Sequence, residues 1–529
     1  MPTDCISYQN SGYFSPLMND YLDQNPNLQS LYNRFPNLEN FESQIKEKKT
    51  NYTNENRAVL VSVLKNQYSK IATSALTQQN IEALASPETF TITTGHQLNL
   101  FSGPLYFLYK IISTINLTKE LKAKYPSENF VPIYWMATED HDFDEINYFN
   151  FKGRKFRWNK ESTGPVGRLS TEGLEDFLEV YTLELGAGKN AEAIKKLFQE
   201  SYLDHSNLAD ATRFLANQLF GEYGLVILDA DDKDLKRTFI PYIKEELTLQ
   251  TSHKKVLETT EKLKNYTIQV NPREINLFYM EDDLRERIIF ENGKYSVNNT
   301  KMEFSETEIL TLLENYPEKF SPNVIMRPLY QEVILPNLCY IGGGGEIAYW
   351  LELKSFFDAV NVTFPILLLR NSALLAYEKQ AKKADKLELS WSDLFSKQTD
   401  LVNQKTKLLD DFSIDLSIQK DFLKNQFHYL HSLAQKTDKS FLGAVKAQEA
   451  KQIKGLENLE KRLLKAQKKK HSDELERITD LQNELFPNKS LQERQTNFSE
   501  FYLENGKELI QKLITQLKPL DTKFEVIVF

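Results

Sequence analysis

At 529 residues the chain is longer than a single hydrophobic core usually supports, so two or more domains are expected. A formal net charge of -9, from 65 basic and 74 acidic side chains, excludes the broad basic surface of a duplex nucleic-acid binder. Only Cys5 and Cys339 are present, which excludes a disulfide scaffold or a cysteine-rich zinc site and fits a reducing, cytoplasmic setting.

In chain order, the opening MPTDCISYQN lacks a basic stretch followed by an apolar one, and no later run approaches eighteen apolar residues, so neither secretion nor membrane insertion is expected. Residues 1–85 begin with Phe14, Pro16, Phe35 and Pro36 and continue into the helical pattern ENRAVLVSVLKNQYSKI, which reads as an irregular arm and helices on a core. Phe90 to Thr94 has the composition of a strand, and Val131 to Met136 is the apolar run of a buried parallel strand. Between them Leu105, Leu108, Tyr109, Ile112 and Ile115 recur at helical spacing, with Ser102 or Gly103 placed to cap and Pro104 in the first turn. The result is a βαβ unit in an α/β fold. Beyond its two strand ends stand Thr94, Gly95, His96, Gln97 and Asn99, and Glu139, Asp140, His141 and Asp142, where open α/β sheets bind ligands.

Residues 149–170 read as short strands in an insertion. Residues 207–232 add a helix and a third parallel strand, Leu225 to Leu228, ending near Asp229 and Asp231. Residues 233–265 are helical in character, and Asn292-Gly293 marks a type I′ hairpin in a second insertion. Further on, FPILLLR reads as a buried strand ending at Arg370, and the glycines 342 to 345 precede a helix. From about 375 to 485 glycine and proline nearly vanish. There Ile453, Leu456, Leu459 and Leu463, then Ile478, Leu481 and Leu485, recur every three or four residues, as in a coiled coil. The last segment returns toward the core and ends in the strand-like FEVIVF.

Several constellations could carry chemistry. His96 and Gln97 stand where a helix start binds an anion or a reacting carbonyl, or the loop serves only its own backbone. Glu139, Asp140, His141 and Asp142 crowd three carboxylates around one imidazole, and three uses compete: a general base, a metal site, or a salt-bridged cap. If these four residues alternate as on a strand end, at most two converge on one ion, so no metal ligand is assigned. IGGGGEIAYW allows close approach to a ligand but matches neither Walker A nor GxGxxG spacing. Arg327, Gln331, Glu332 and Glu346 form a binding edge or an ion-pair network, and Arg370 could clamp a carboxylate. Lys152, Arg154, Lys155, Arg157 and Trp158 read as a solvated hairpin, and Cys339 as a small buried hydrophobe.

Taken together, TTGHQLNLFSGPLY, FVPIYWMATEDHDFDEIN, SPNVIMRPLYQEVILPN, YIGGGGEIAYW and the late LQER resemble the bacillithiol biosynthesis cysteine-adding enzymes, the BshC family, in order and over essentially the whole chain. Two departures stand out. Members typically carry Thr-Gly-Gln-Gln where this chain has Thr94-Gly95-His96-Gln97, and Gly-Gly-Pro-Gly-Glu where Gly342 to Glu346 stands. The resemblance implies an N-terminal arm and the first part of a Rossmann-like core over 1–148, with the core continued at 207–265 and 321–374. It also implies insertions at 149–206 and 266–320, a helical coiled-coil domain at 375–486 that supports a homodimer, and a return to the core at 487–529. The implied reaction is a carbon-nitrogen ligation in the cytoplasm, adding L-cysteine to the glucosamine amine of glucosaminyl malate.

Amide formation in water requires an activated carboxyl, most simply one made with ATP and magnesium, although the residues themselves identify no cofactor. His96, Asp140 and His141 are the catalytic candidates, with Asp140 or His141 as the base. Gly95, Gln97, Asn99, Gly103, Glu139, Asp142, Arg327, Gln331, Glu332, Gly343, Gly344, Glu346, Tyr349 and Arg370 are the substrate- or nucleotide-binding candidates. Two other classes compete: an adenylate-forming or nucleotidyl-transfer enzyme of the class I synthetase type, for which no KMSKS-like partner is found, and a non-enzymatic coiled-coil scaffold.

Overall fold

The computed structural model describes residues 4–409, 412 and 414–529. Two compact units emerge, one from Met1–Gln9, Tyr13–Leu374 and Ser490–Ile527, the other from Asn10–Gly12, Leu375–Lys489 and Val528–Phe529.

Five parallel strands centre the larger unit: β1 (Thr89–His96), β2 (Asn129–Met136), β3 (Val226–Asp229), β4 (Asn337–Gly342) and β5 (Ile366–Leu369). Their spatial order is β5-β4-β1-β2-β3. Such strands are covered on both faces, so their apolar residues run without alternation, and every residue of β1 is buried. Phe90, Ile92, Cys339, Ile341, Ile366 and Leu368 share one core cluster with Phe41 and Leu117. Pro132 is tolerated in β2 because β3 joins only at Ile133, so its missing N–H removes no bond to that neighbour.

Helix Tyr106–Lys124 joins β1 to β2 and completes the βαβ unit. It starts later than its spacing suggests, and neither Ser102 nor Gly103 caps it: Leu100–Ser102 form a 3-10 turn, and Leu105 occupies the N-cap without a side-chain bond. Gly103 has φ +62°, and a Cβ there would lie 2.7 Å from that of Asn99, so the kink between turn and helix needs glycine. The third strand begins at Val226, one residue later than expected.

The first insertion holds the hairpin Tyr148–Phe151 with Arg154–Arg157 and the helices Leu174–Leu185 and Lys189–Tyr202. The second forms an antiparallel sheet in the order Glu303–Phe304, Lys294–Val297, Leu284–Glu291, Leu277–Glu281, Phe320–Pro322. Its turn at Asn292 and Gly293 has φ of 53° and 78°, the left-handed pair that a type I′ hairpin requires. The closing segment pairs with the first: Ser7 to Asp4 run antiparallel to Lys523 to Val526.

The smaller unit is helical. Ser417–Ala434 packs on Lys439–Lys470 through Phe427, Ala434 and Val445, flanked by Leu423 and Leu442. The apolar recurrence from Ile453 to Leu485 is carried by two helices, Lys439–Lys470 and Ser472–Leu485, that break at His471 (φ -101°, ψ 22°). The local charges explain the break: Lys468, Lys469 and Lys470 crowd the end of one helix, and Asp473 and Glu474 the start of the next, each placed to suit its helix dipole. Among the described residues, no helix is long and apolar enough to cross a membrane.

Candidate active site

From β1 the chain runs outward through β2 to β3, then returns to the other side of β1 as β4 and β5. Loops leaving β1 and β4 therefore diverge, and a crevice opens at the carboxyl ends of the strands. A cavity of about 890 Å³ lies there. Gly95, His96 and Gln97 line it from the end of β1, and Trp135 to Asp140 from the end of β2. Gly343, Gly345, Glu346 and Tyr349 contribute from beyond β4, and Arg370 from beyond β5. Further lining comes from the second insertion and its exit, with Arg273, Phe278, Arg285, Arg287 and Arg327.

His96 is buried against the rings of Tyr106 and Phe107, and its Nε2 has no hydrogen-bond partner among the described residues. Burial, then the nearby charges of Lys110 and Arg370, hold its pKa well below the usual histidine range, so the ring is neutral at pH 7. Gln97 donates to Asp140 Oδ2 at 2.9 Å and to Glu145 Oε2 at 2.8 Å. Asp140 Oδ1 accepts from the His141 amide at 2.8 Å, so the carboxylate is held from both sides.

The EDHD stretch is not a strand end. β2 stops at Met136, and the four side chains diverge to separate partners instead of alternating between two faces. Glu139 pairs with Lys236 at 2.8 Å and accepts from Ser321 at 2.6 Å; burial raises its pKa against the pull of Lys236. His141 lies outside the cavity lining, with its Nδ1 2.7 Å from Arg285 Nη1. Asp142 caps the short helix Phe143–Ile146 by accepting from the Glu145 amide. Glu139 and Asp142 thus make the contacts of an ion-paired and capping residue, and Asp140 is the carboxylate of the stretch that faces the cavity with, among the described residues, no lysine or arginine nitrogen within 4.0 Å.

Beneath the glycine loop, Lys110 pairs with Glu346 at 2.6 Å and donates to the Gly95 carbonyl at 2.7 Å. Glu346 also accepts from Tyr340 at 3.0 Å and from the Gly343 amide at 2.7 Å. Burial pushes its pKa up, but Lys110 and these donors together hold it below the usual value. The glycines do not all precede the helix: Gly342 ends β4, Gly343 is the N-cap, and Gly344 and Gly345 form the first turn. At Gly95 a Cβ would meet the Tyr340 hydroxyl at 3.3 Å, so glycine keeps the floor of the cavity low.

Arg327 is held by Gln331 Oε1 and the Tyr349 hydroxyl, each at 3.1 Å. Arg370 ion-pairs with buried Glu493 at 2.7 Å, and its Nε has no partner among the described residues. Gln331 and Glu332 do not form an exposed edge. Both are buried beneath it, with Glu332 bound to Lys48, Gln331 and Asn337. Asn99, Gly103 and Gly344 also lie outside the lining: Asn99 donates to the Glu145 carbonyl, and Gly344 rests near Phe14 and Met18.

Sequence reasoning missed Lys110, Tyr340, Arg273, Arg285, Arg287 and Arg494, all of which line the cavity. Lys110 lies on the helix face followed for its apolar residues, and the arginines of the second insertion carry no local motif.

A parallel α/β sheet with a charged cavity at its topological switch point places the chain in the class of open α/β proteins, whose ligand sites lie at strand ends. Residues 1–371 match the family described as bacillithiol biosynthesis BshC, N-terminal Rossmann-like domain, and residues 373–529 match bacillithiol biosynthesis BshC, C-terminal coiled-coil domain. The chain belongs to the BshC family. Proteins named "Putative cysteine ligase BshC" are 73% identical in Flavobacterium johnsoniae, over 100% of both chains, and 66% identical in Flavobacterium psychrophilum, over 100% of this chain and 99% of that one. One from Christiangramia forsetii is 59% identical over 100% and 99%. A solved chain from Campylobacter jejuni, described as a putative arginyl-tRNA synthetase, superposes with a TM-score of 0.22 at 13% identity over 84% of this chain and 95% of that one, a likeness that bears no weight.

Proposed function

We propose that this chain is a cytoplasmic cysteine ligase that joins the carboxyl group of L-cysteine to the glucosamine amine of glucosaminyl malate, in the last step of bacillithiol biosynthesis. The observation that carries the reading is the mixed charge of the switch-point cavity in a BshC-family chain, which is lined by the Asp140 carboxylate together with the guanidinium groups of Arg273, Arg285, Arg287 and Arg327. An acceptor that carries both an amine and malyl carboxylates matches a lining that offers a carboxylate and several guanidinium groups.

Condensation forms one C–N bond, removes one proton from nitrogen and expels the group that activated the cysteine carboxyl. An activated carboxyl such as an adenylate or acyl phosphate would supply that leaving group, and ATP with magnesium would be its simplest source. Asp140, fixed by Gln97 and a backbone amide, accepts the amine proton. His96, neutral and with its other ring N–H engaged by the Ser102 backbone, presents the unpartnered Nε2 as a lone pair that accepts a hydrogen bond from a substrate N–H or O–H. Purified protein incubated with glucosaminyl malate, cysteine, ATP and magnesium is expected to yield bacillithiol by mass spectrometry, and omission of cysteine or the acceptor to abolish it. Product formed without the acceptor, or none from the full mixture, would refute the reading.

The chain also forms a homodimer through its helical unit. Ile418 and Phe422 are each 66% exposed and Leu459 is 55% exposed, around an apolar groove of about 640 Å³ between Ser417–Ala434 and Lys439–Lys470. A second copy related by twofold symmetry covers that stripe.

A further inference from the structure

Arg285 reaches the cavity from the strand Leu284–Glu291 of the second insertion, remote in sequence from every motif noted above. It is firmly held. Its Nε donates to Ser321 Oγ at 3.1 Å, Nη2 to the Pro322 carbonyl at 3.2 Å, and Nη1 lies 2.7 Å from His141 Nδ1, while the guanidinium stacks 4.0 Å over Phe278. All three partners are uncharged groups. Among the described residues, no carboxylate comes within 4.0 Å of it, and Glu139, Asp140 and Asp231 act on it only at longer range. A partly buried guanidinium without an ion pair is costly unless an anion completes it. Of its five N–H groups three are used, which leaves one on each terminal nitrogen, the number that a bidentate oxyanion contact requires.

The same contact fixes the state of His141. A guanidinium stays protonated and has no lone pair to offer, so at 2.7 Å His141 Nδ1 must be the acceptor, and the ring proton sits on Nε2. An imidazole in that form holds Arg285 and is not free to take a proton at Nδ1. Phe278 packs on both groups and keeps them in register.

We propose that Arg285 is the oxyanion clamp of the cavity, binding a carboxylate or phosphate of the substrates through its two free N–H groups, and that His141 is a positioning residue that orients it. The proposal rests on the cavity being the active site. In that arrangement the histidine of the EDHD stretch serves binding, and proton transfer is left to its neighbour Asp140.

The test is calorimetric titration of the full-length protein with glucosaminyl malate and, separately, with ATP, alongside thermal melts. Arg285→Met is expected to weaken one ligand at least 30-fold with a melt close to wild type, and Arg285→Lys, which keeps the charge without the fork, to weaken it about 10-fold. Loss confined to glucosaminyl malate identifies a carboxylate, and loss confined to ATP a phosphate. His141→Leu is expected to raise the Kd of the same ligand several-fold and to act on KM more than on kcat, whereas His141→Asn, whose carbonyl oxygen can still accept, restores binding. Unchanged Kd values for both ligands in Arg285→Met and Arg285→Lys would overturn the clamp. A His141→Leu protein with normal Kd and collapsed kcat would overturn the positioning role. If the wild type binds neither ligand, the reading of the cavity falls and the clamp with it.

Discussion

Asp140 and His96 face the same cavity in opposite chemical states. Asp140 is a carboxylate held by a side-chain amide and a backbone amide, so Asp140→Asn removes the proton acceptor while leaving the shape of the turn. Ligation by that variant is expected to fall about 10²–10⁴-fold with its circular dichroism melt unchanged; turnover near wild type would remove Asp140 from catalysis. His96 is already neutral at pH 7, because burial and the charges of Lys110 and Arg370 disfavour the imidazolium. Its contribution is a hydrogen bond, which an amide can also make, and the glutamine that the family typically carries at this position fits that role. His96→Gln is therefore expected to keep kcat within about 10-fold, with a flat ratio to wild type between pH 6 and 9. A collapse of kcat at constant substrate affinity would assign His96 to proton transfer instead.

At the scale of elements, buried charge ties the helices to the sheet. Lys48, on helix Asn40–Asn51, donates to Glu332 Oε2 at 3.3 Å and to the Glu332 carbonyl at 3.1 Å. Glu332 Oε1 accepts from Gln331 at 2.9 Å and from Asn337 at 2.7 Å, and Asn337 Oδ1 accepts from Thr91 and Thr93 of β1. Lys48→Met leaves the Glu332 carboxylate without its cation and is expected to cost about 3–5 kcal/mol in denaturant unfolding, most of it recovered in Lys48→Met/Glu332→Leu. A single variant as stable as wild type would show that the pair is not the tie. Glu525, on the strand that pairs with the chain start, offers a pH test. Burial pushes its pKa up to about 8, so the folded state holds a proton that the unfolded chain releases near pH 4.5, and stability falls as pH rises through that window, by at most about 1.4 kcal/mol per pH unit. Glu525→Gln should thus raise Tm more at pH 8.5 than at pH 6; an equal gain at both would mean that the carboxyl titrates normally.

These elements also mark what sequence can reveal. β1, the Tyr106–Lys124 helix, β2 and the Asn292-Gly293 turn were legible because composition, periodicity and turn chemistry are local properties. Arg285, by contrast, meets His141 across 144 positions of sequence, and nothing in the run LRERIIFE separates it from Arg287 or from a solvated strand. For Glu332 the sequence left a binding edge and an ion-pair network open, and the second holds, because its helix turns it onto Lys48, a partner 284 positions away. The late start of the helix after Gly103 was hidden because a left-handed kink depends on the packing of Asn99, not on residue type alone.

For the molecule as a whole, each unit carries its own expectation. In the helical unit, Phe422 and Leu459 line the apolar groove that the proposed dimer covers, so Phe422→Glu/Leu459→Glu is expected to sediment as a folded monomer at micromolar concentration where the unaltered chain sediments as a dimer. A monomeric unaltered chain would refute the dimer. In the larger unit, the central claim is that the switch-point cavity receives the acceptor substrate. Hydrogen–deuterium exchange followed by mass spectrometry, on the full chain with and without glucosaminyl malate, tests it most directly. The account predicts slower exchange in peptides spanning residues 94–98, 136–141 and 269–287; unchanged exchange in all three, with any protection confined to residues 375–489, would contradict it.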